Sequence, residues 1–330
     1  MMSLMLQTPL LSWIFVVLWT FLQLAHGLTF FPDNAVFVAK AGTVSLTCDS
    51  ATTGNVNWVF IPHGDVQKIP LKGTERRLEV AYEDTPELGE YSCWSGETKL
   101  WSAHLVLDAQ DTRADSMLNC WAKSYNCSFN CHWGDTDYTA VRLGLGKDCS
   151  ENRKNCSWIT SSSQQHPGQG FMFELSNSLT PSMEETTRIE VTAEAMNDYI
   201  FHRTYKTFFL RDIIRPESPK IVQCQEVGHQ LNVSIEPAAS WSKPHSYFKL
   251  EHEIEYVSRH NGKNIISETH LIPREISKLR VRSRDAVVRS KWSEWTPWRH
   301  VRKPGTPKKR NSKNKCKPQR HNKDPPLEQN

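Results

Sequence analysis

Several features that would indicate an enzyme or a membrane protein are missing from this 330-residue sequence. It has no His-Glu-x-x-His, Cys-x-x-Cys or Gly-x-Ser-x-Gly motif and no phosphate-binding loop, and its 13 histidines lack the spacing of metal ligands. No segment after residue 24 is long and apolar enough to cross a membrane. No stretch shows the period of an amphipathic helix. We therefore expect no catalysis, cofactor or metal, and a chain built from β-strands.

The long apolar run of the sequence lies at its N terminus, from Leu10 to Leu24. The small-x-small sequence Ala25-His26-Gly27 follows it, which is typical of a secretory signal peptide cut near Gly27. A membrane-spanning signal anchor is the alternative, but the run has about 15 residues where a membrane helix needs about 20. The sequence thus predicts a signal peptide over 1–27 and a secreted, extracellular chain with no membrane span.

Nine cysteines agree with export, because disulfides persist in oxidising compartments. Three Asn-x-Ser sequons also agree, and they predict N-glycans on Asn126, Asn155 and Asn232. Asn232 lies between Leu231 and Val233, so that it falls on the outward face of a predicted strand. Since nine is odd, at least one thiol should stay free or bridge another chain.

The net charge of +4 is concentrated at the C terminus. From Lys303 onward, nine Lys or Arg residues face only Asp324 and Glu328, so the rest of the chain carries a net charge of −3. This segment is rich in Pro, Asn and Gln, which predicts a disordered basic tail over 303–330. In an exported chain the tail could bind heparan sulfate rather than nucleic acid; a tail that is only solvated is the alternative.

An immunoglobulin-like signature occupies the first part of the chain. The sequence GTVSLTC alternates apolar residues up to Cys48, Trp58 follows, and ELGEYSC places Tyr91 two residues before Cys93. In this fold the two cysteines bridge the sheets, the Trp packs on the bridge and the Tyr hydroxyl holds a corner. Unrelated cysteines are the alternative, but four positions agree. The signature predicts a Cys48–Cys93 disulfide in a sandwich over 28–108.

Two further blocks of alternating strands follow, separated by the proline-containing linker RDIIRPESPK (211–220). The second block contains SFNCHW, which alternates Phe129, Cys131 and Trp133 with polar residues, and the third contains KLRVRSRD (278–285). The sequence therefore predicts an all-β chain of three sandwiches in series.

The third block ends in the unusual segment RSKWSEWTPW, with three tryptophans in a polar stretch. Their spacing of three is the repeat of polyproline II, which lines side chains on one side. Guanidinium groups stack on indoles with about 0.5–2 kcal/mol per pair. We therefore predict a ladder on the outside of the third sandwich, made from Trp292, Trp295, Trp298, Arg280, Arg282 and Arg284.

Two of these motifs resemble the haematopoietic (type I) cytokine receptor family. The sequence WSEWT is similar to the family's Trp-Ser-x-Trp-Ser motif, with Thr296 in place of the last serine. Cys120, Cys131 and Trp133 resemble its N-terminal disulfide module, which implies a Cys120–Cys131 bond. The resemblance covers about residues 40–300 and implies fibronectin type III-like cytokine-receptor domains over 109–213 and 214–302.

The hinge FFLRDIIRPESPK and the sequence PHSYF (244–248) resemble one secreted member of that family, the receptor-like subunit of a heterodimeric cytokine. The resemblance implies binding of a four-helix-bundle subunit at the elbow between the second and third domains, followed by engagement of cell-surface cytokine receptors. It implies that Asp285 pairs with an arginine of the helical subunit, with Tyr125 and Tyr247 as aromatic walls. Val287 replaces a further aromatic residue. For Asp285, the alternative is a loop carboxylate that neutralises Arg284 or Arg289.

The remaining cysteines depart from the family pattern. Cys149 and Cys156 are close enough in sequence to pair, although Cys127 could instead take Cys156. The resemblance implies an intersubunit cysteine near Thr180, and none is there. It also implies a disulfide in the third domain, which we do not expect because that domain has no cysteine near the end of its sandwich.

Two other functions fit the same sequence features. A free soluble cytokine receptor or homodimeric antagonist would use the same elbow without a helical subunit. An extracellular-matrix adhesion protein would use the sandwiches and the basic tail structurally. Co-expression with a helical partner distinguishes the soluble receptor or antagonist from the heterodimeric cytokine. Heparin binding without any protein partner would favour the adhesion protein.

Export and glycosylation can be tested by mass. We expect the secreted chain to begin near residue 28 and to lose mass on glycosidase treatment, because Asn126, Asn155 and Asn232 stand in sequons. Intact-mass measurement before and after treatment checks both points. Retention of Met1, or a mass that glycosidase does not change, would contradict the prediction.

Overall fold

A computed structural model describes residues 28–49, 54–109, 116–151, 155–161, 170–176, 186–302 and 316–317. The predicted signal peptide and most of the predicted basic tail lie outside these residues. The described residues divide into two compact units. The first comprises those within 1–119, 132–173 and 190–206, and the second comprises those within 120–131, 174–189 and 207–330.

Strands dominate the described residues, and the helical segments include α1 (Lys147–Glu151) and a 3-10 turn at Leu210–Ile213. The predicted all-β sandwich class is confirmed. Within these residues, no helix is long and apolar enough to cross a membrane.

The first sandwich has two sheets. Its strands are β1 (Ala35–Val38), β2 (Gly42–Thr47), β3 (Asn57–Pro62), β4 (Ile69–Leu71), β5 (Arg77–Tyr82), β6 (Gly89–Ser95) and β7 (Thr98–Asp108). β2 pairs with β5, while β4, β3, β6 and β7 are neighbours in the other sheet and β1 joins β7 in parallel.

The core of this sandwich shows the immunoglobulin features. The structure places a disulfide between Cys48 and Cys93, and Trp58 is buried in the same cluster. The Tyr91 hydroxyl donates to the carbonyl of Glu87 at 2.8 Å, which fixes the corner before β6. These contacts follow from the spacing of the four residues in the sequence.

The second group of strands continues the larger sheet. It consists of β8 (Leu118–Trp121), β9 (Ser128–Trp133), β10 (Ala140–Leu145), β11 (Trp158–Thr160), β12 (Phe171–Ser176), β13 (Ile189–Met196) and β14 (Ile200–Phe208). β11, β10, β13 and β14 lie in order beside β7, whereas β12, β9 and β8 form a separate sheet. β14 pairs with β7 in parallel at Ile200–Leu107 and Phe201–Asp108, so one sheet runs through the predicted boundary at residue 108.

Two disulfides lie in this region. The Cys120–Cys131 bond joins residues of the second unit, and the Cys149–Cys156 bond joins residues of the first. A Cβ atom on Gly144 would lie 2.4 Å from the Cys156 sulfur and 2.5 Å from the Cys149 sulfur, so only glycine leaves room for this bond. Cys127 is outside the four disulfides, and its buried thiol donates to the Tyr125 carbonyl at 3.8 Å.

The third sandwich lies in the second unit. Its strands are β15 (Lys220–Val227), β16 (Gln230–Glu236), β17 (Leu250–Ser258), β18 (Asn264–Ser267), β19 (Leu271–Pro273), β20 (Ile276–Asp285), β21 (Arg299–Val301) and β22 (Cys316–Lys317). One sheet has the order β15-β16-β19, and the other has the order β18-β17-β20-β21-β22. The two apolar faces enclose one core that includes Ile254, Leu279 and Val281.

A Cys224–Cys316 disulfide closes this sandwich, with sulfurs 1.93 Å apart. The expectation that the third domain lacks a disulfide was therefore wrong. Cys316 is 92 residues from Cys224 and lies in the segment whose composition predicts disorder. Its strand pairs with β21 at Val301, and this pairing places the cysteine in the core. The predicted tail thus contains an ordered strand that composition alone does not indicate.

The structure brings together the six predicted ladder residues. Each of Arg280, Arg282 and Arg284 lies 4.4–4.8 Å from the centroid of at least one indole, and two of the guanidinium groups are held between two rings. Lys278 extends the ladder, with its ammonium 4.4 Å from the Trp298 ring. Indoles and cations therefore alternate along the outer face of β20.

A row of glutamates on β17 completes the ladder. Glu255 accepts from Arg280, Glu253 from Arg282 and Glu251 from Arg284, because β17 pairs with β20 in that register. The tryptophan segment is fixed from its other side by hydroxyls. The N–H groups of Ser293 and Thr296 donate to carbonyls of β20, and their hydroxyls accept the N–H groups of Ser283 and Val281. A serine or a threonine can make this pair of bonds, which explains why Thr296 is tolerated.

The ladder predicts a loss of stability when a central cation is removed. Arg282→Ala deletes stacking on two rings and the bond to Glu253, so we expect about 1–3 kcal/mol lower unfolding free energy and a lower secretion yield. Thermal unfolding measures the loss of stability.

Arg77→Ala is the matched control, because Arg77 is exposed and its side chain bonds Glu79 and Ser45 rather than an aromatic ring. Equal melting of Arg282→Ala and wild type would contradict the ladder.

His252 predicts an acid-sensitive third sandwich. Burial lowers the pKa of His252 to about 4, with a smaller contribution from the charge of nearby His270. The Nδ1 atom of His252 lies 2.7 Å from the Ser283 hydroxyl. The unfolded value is about 6.5, so the neutral ring contributes full stability above that pH and the contribution is lost as pH falls toward 4. We expect up to about 3 kcal/mol of acid destabilisation from this group. His252→Gln should flatten unfolding free energy against pH in that window; an unchanged slope would contradict it.

Candidate functional site

Three loops of the second unit converge on Asp285, the last residue of β20. One carries Tyr125, another runs from Trp241 to Lys249, and the third is 286–290. The first loop is positioned by backbone bonds to the linker, since Ala122 N–H donates to Ile213 O at 2.9 Å and Arg215 N–H donates to Ala122 O at 2.7 Å. The third is tied to the second by the bond from Ala286 N–H to Lys249 O at 2.9 Å.

Asp285 is buried, with 2% of the residue's surface exposed, and its carboxylate accepts three hydrogen bonds. Oδ2 accepts from the Tyr125 hydroxyl at 3.1 Å. Oδ1 accepts from the N–H groups of Val287 at 2.7 Å and Val288 at 3.0 Å. These bonds hold the carboxylate at a fixed position. Neighbouring Arg284 is bonded to Glu251.

Aromatic rings pack around Tyr125, which bonds the carboxylate. Tyr125 stacks on Phe248 with centroids 5.1 Å apart and meets the edge of Trp241 at 6.0 Å. Trp241 Nε1 donates to the Phe248 carbonyl at 3.0 Å, and the Tyr125 N–H donates to the Ser242 hydroxyl at 3.0 Å. We call Asp285 together with Tyr125, Trp241, Tyr247 and Phe248 the carboxylate site.

Apolar side chains are exposed around this site. Tyr247 meets Phe248 edge-on at 4.9 Å, yet 70% of its surface is exposed. Val287, next to the carboxylate in the chain, is 73% exposed, and Val288 is also exposed. Because large apolar side chains grouped in this way are costly in water, the arrangement is typical of a protein-binding surface. A polar anchor with exposed apolar groups at its rim suits recognition rather than catalysis.

Sequence reasoning pointed to Tyr125, Tyr247 and Asp285 but missed two members of the site. Phe248 lies inside the PHSYF sequence that carries the family resemblance, so the sequence could have indicated that it belongs to the site. Trp241 follows β16 in a loop that no spacing rule singles out. Nor does the sequence indicate that Tyr125 and Asp285, 160 positions apart, form a hydrogen bond.

The three predicted glycan sites differ in their exposure to solvent. Asn126 and Asn155 are exposed, while Asn232 is half-buried on β16. The Ser128 hydroxyl donates to the Asn126 side-chain carbonyl at 3.1 Å, within the sequon and next to Tyr125. Throughout the described residues, no group of three or more His, Cys, Asp and Glu side chains is arranged to hold a metal ion.

Comparisons with known proteins point to one family. A family model described as the C-terminus of the cytokine interleukin-12p40 matches residues 115–197. The chain is 27% identical to the interleukin-12 subunit beta of Macaca mulatta over 298 residues, which cover 81% of this chain and 88% of that protein. The Homo sapiens protein of the same name is 26% identical over the same shares, and the Sigmodon hispidus protein is 28% identical over 78% of this chain and 86% of its own length. With its all-β fold and receptor-like motifs, the chain is similar to interleukin-12 beta subunits over most of its length.

Proposed function

We propose that this chain is the secreted, receptor-like subunit of a heterodimeric cytokine. It binds a four-helix-bundle subunit through the carboxylate site, and the pair then engages cell-surface receptors in immune signalling. The matching family model is described as a cytokine, and the similar proteins are named interleukin-12 subunit beta, which supports this proposal. The observation that carries the proposal is the buried carboxylate of Asp285 beneath exposed apolar groups.

The carboxylate site supports recognition of a guanidinium group. Two backbone N–H groups occupy Oδ1 of Asp285, and Oδ2 accepts from the Tyr125 hydroxyl, a donor that can rotate. An arginine fork inserted between Tyr125 and Tyr247 would add charge-assisted bonds to Oδ2 of this buried residue. Such desolvated anchors contribute most of the free energy at protein interfaces.

The exposed rim supports a helical partner. Tyr247, Val287 and Val288 offer exposed apolar surface in two of the loops that meet at Asp285, and an amphipathic helix can cover such a surface with residues spaced by three and four. Val287 stands where the resemblance implies an aromatic residue, so this part of the rim offers less contact area than a ring would. The identity of the helical subunit is best obtained by purifying the chain from secreting cells and sequencing what co-purifies.

Asp285→Asn tests the site with little change in shape. Asparagine keeps an oxygen that can accept from Val287 and Val288 but removes the charge, so we expect about 2 kcal/mol weaker binding of the co-purifying helical subunit, or about 30-fold. The loss should appear mainly as faster dissociation, measured by surface-based kinetics with separately expressed subunits. Asp285→Ala should weaken binding at least as much, and it should also destabilise the free chain because three donors lose their acceptor.

Asp65→Asn is the matched control. Asp65 also caps a loop by accepting two backbone N–H groups, from Val66 at 2.7 Å and Gln67 at 3.1 Å, but it lies in the first unit. It should leave both affinity and dissociation rate unchanged. Equal affinity of wild type and Asp285→Asn would exclude the carboxylate site, and recovery of the chain only as monomers or pairs of itself would favour the soluble-receptor alternative.

A further inference from the structure

Leu28, the first described residue, is held by polar contacts at both ends of its backbone. Its nitrogen donates to Oδ1 of Asp198 at 2.5 Å, and its carbonyl accepts from the Thr139 hydroxyl. Asp198 lies in the turn between β13 and β14, and Thr139 directly precedes β10. Asn197 fixes that turn, because its Oδ1 accepts the N–H groups of Tyr199 and Ile200 at 2.9 Å each.

Apolar side chains hold the same segment. Leu28 and Phe31, together with Phe37 of β1, pack against a buried cluster that contains Val106, Ala140, Met196 and Phe201. Val106 belongs to β7, whereas the other three belong to or border β10, β13 and β14. The segment therefore packs where β7 and β14 pair in the continuous sheet of the first unit.

A cation–π contact provides a further anchor. The Arg142 guanidinium lies 4.2 Å from the Phe31 ring and 4.3 Å from the Trp158 ring, and it also bonds the buried Glu194 at 2.6 Å. Phe31 is thus fixed three residues from Leu28. Because the segment is already ordered by these contacts, a charge placed on the Leu28 nitrogen would meet Asp198 without a further large entropic cost.

The residues before Leu28 form the small-x-small sequence Ala25-His26-Gly27. We propose that signal peptidase cuts directly after Gly27, and that the new α-ammonium of Leu28 forms an ion pair with Asp198 that fastens the mature N terminus onto the β7–β14 junction. In this hydrolysis the Gly27–Leu28 peptide bond breaks. Water supplies the hydroxyl to the Gly27 carbonyl carbon and a proton to the Leu28 nitrogen, which binds one more proton to become the ammonium.

The electrostatic surroundings suit this ion pair. The charge of Asp198 acts on His63 and His104, whose rings stack with centroids 6.0 Å apart. Burial lowers the pKa of both histidines, so both rings are neutral at pH 7 and Asp198 remains available to another cation. An amide N–H gives the carboxylate one neutral donor, whereas an ammonium gives a charged donor, and charge-assisted bonds are roughly twice as strong.

The test compares one preparation before and after a single cut. The chain is secreted with an N-terminal extension that ends in a protease site directly before Leu28, and the extension is then removed in vitro. Removal should raise the Tm of the first unit by about 2–4 °C in wild type, since about 1 kcal/mol corresponds to such a shift in an unfolding unit of about 150–250 residues. In Asp198→Asn the same cut should leave Tm unchanged.

A pH series separates the effect of the ion pair on Tm from any effect of the N-terminal extension itself. A paired α-ammonium has a pKa above its ordinary value of about 7.7–8.0, so its stabilisation is complete at pH 7 and is lost as pH rises toward 10. His63, His104 and Glu90, all with lowered pKa values, keep their charge states in this window. The wild-type gain in Tm on cutting should therefore shrink between pH 7 and 10.

Three results would overturn the proposal. They are no gain in Tm for wild type, an equal gain in wild type and Asp198→Asn, and a gain that does not depend on pH. A natural secreted chain whose mass shows a first residue other than Leu28 would also contradict it. Because the readout is unfolding of the isolated chain, these outcomes leave the carboxylate site and its partner untouched.

Discussion

Alternation of guanidinium groups and indoles along β20 is the interaction on which the second unit depends. Arg280, Arg282 and Arg284 are held on one side by tryptophan rings and on another by glutamates of β17. The strand that they stiffen ends at Asp285. The position of that carboxylate is therefore fixed by packing as well as by its own hydrogen bonds, and a fixed carboxylate loses little entropy when a partner binds.

The first unit is built on a different constraint, the continuity of one sheet. β7 closes the immunoglobulin-like sandwich and also pairs with β14. Apolar residues of the N-terminal segment cover this pairing, and Asp198 lies at its end, in contact with Leu28. A sheet that passes through the predicted domain boundary places β10, β11 and most of β13 and β14 in the same compact unit as the immunoglobulin-like sandwich, and the N-terminal segment adds contacts to that unit.

The sequence contained enough information for the fold class and for the ladder, because both depend on short-range periodicity. Spacings of two in β20 and of three in the tryptophan segment place the rings and cations without any knowledge of tertiary structure. The glutamates Glu251, Glu253 and Glu255 also repeat with a period of two. Only the structure, however, gives the register that pairs them with the arginines of β20. The Ser293 and Thr296 hydroxyl bonds were not predictable, because the spacing of the tryptophans does not indicate which backbone groups of β20 the neighbouring hydroxyls meet.

Other features depend on contacts between distant parts of the chain, which local patterns do not report. The bond between Tyr125 and Asp285 joins residues 160 positions apart, and the Cys224–Cys316 disulfide includes a cysteine in a stretch that composition assigns to a tail. Trp241 and the Leu28–Asp198 contact are of the same kind. In each case the residue type carries the chemistry, but the fold decides which group it meets.

The central claim is that the carboxylate site is where a helical subunit docks. Hydrogen exchange of the free chain and of the chain bound to its co-purified partner tests it most directly, because the N–H groups of Val287 and Val288 bond Asp285 itself and those of Tyr247 and Phe248 bond the Pro244 carbonyl. The account predicts that binding slows exchange most strongly over 244–249 and 286–290. Protection confined to other segments, with exchange at these two loops unchanged, would contradict it.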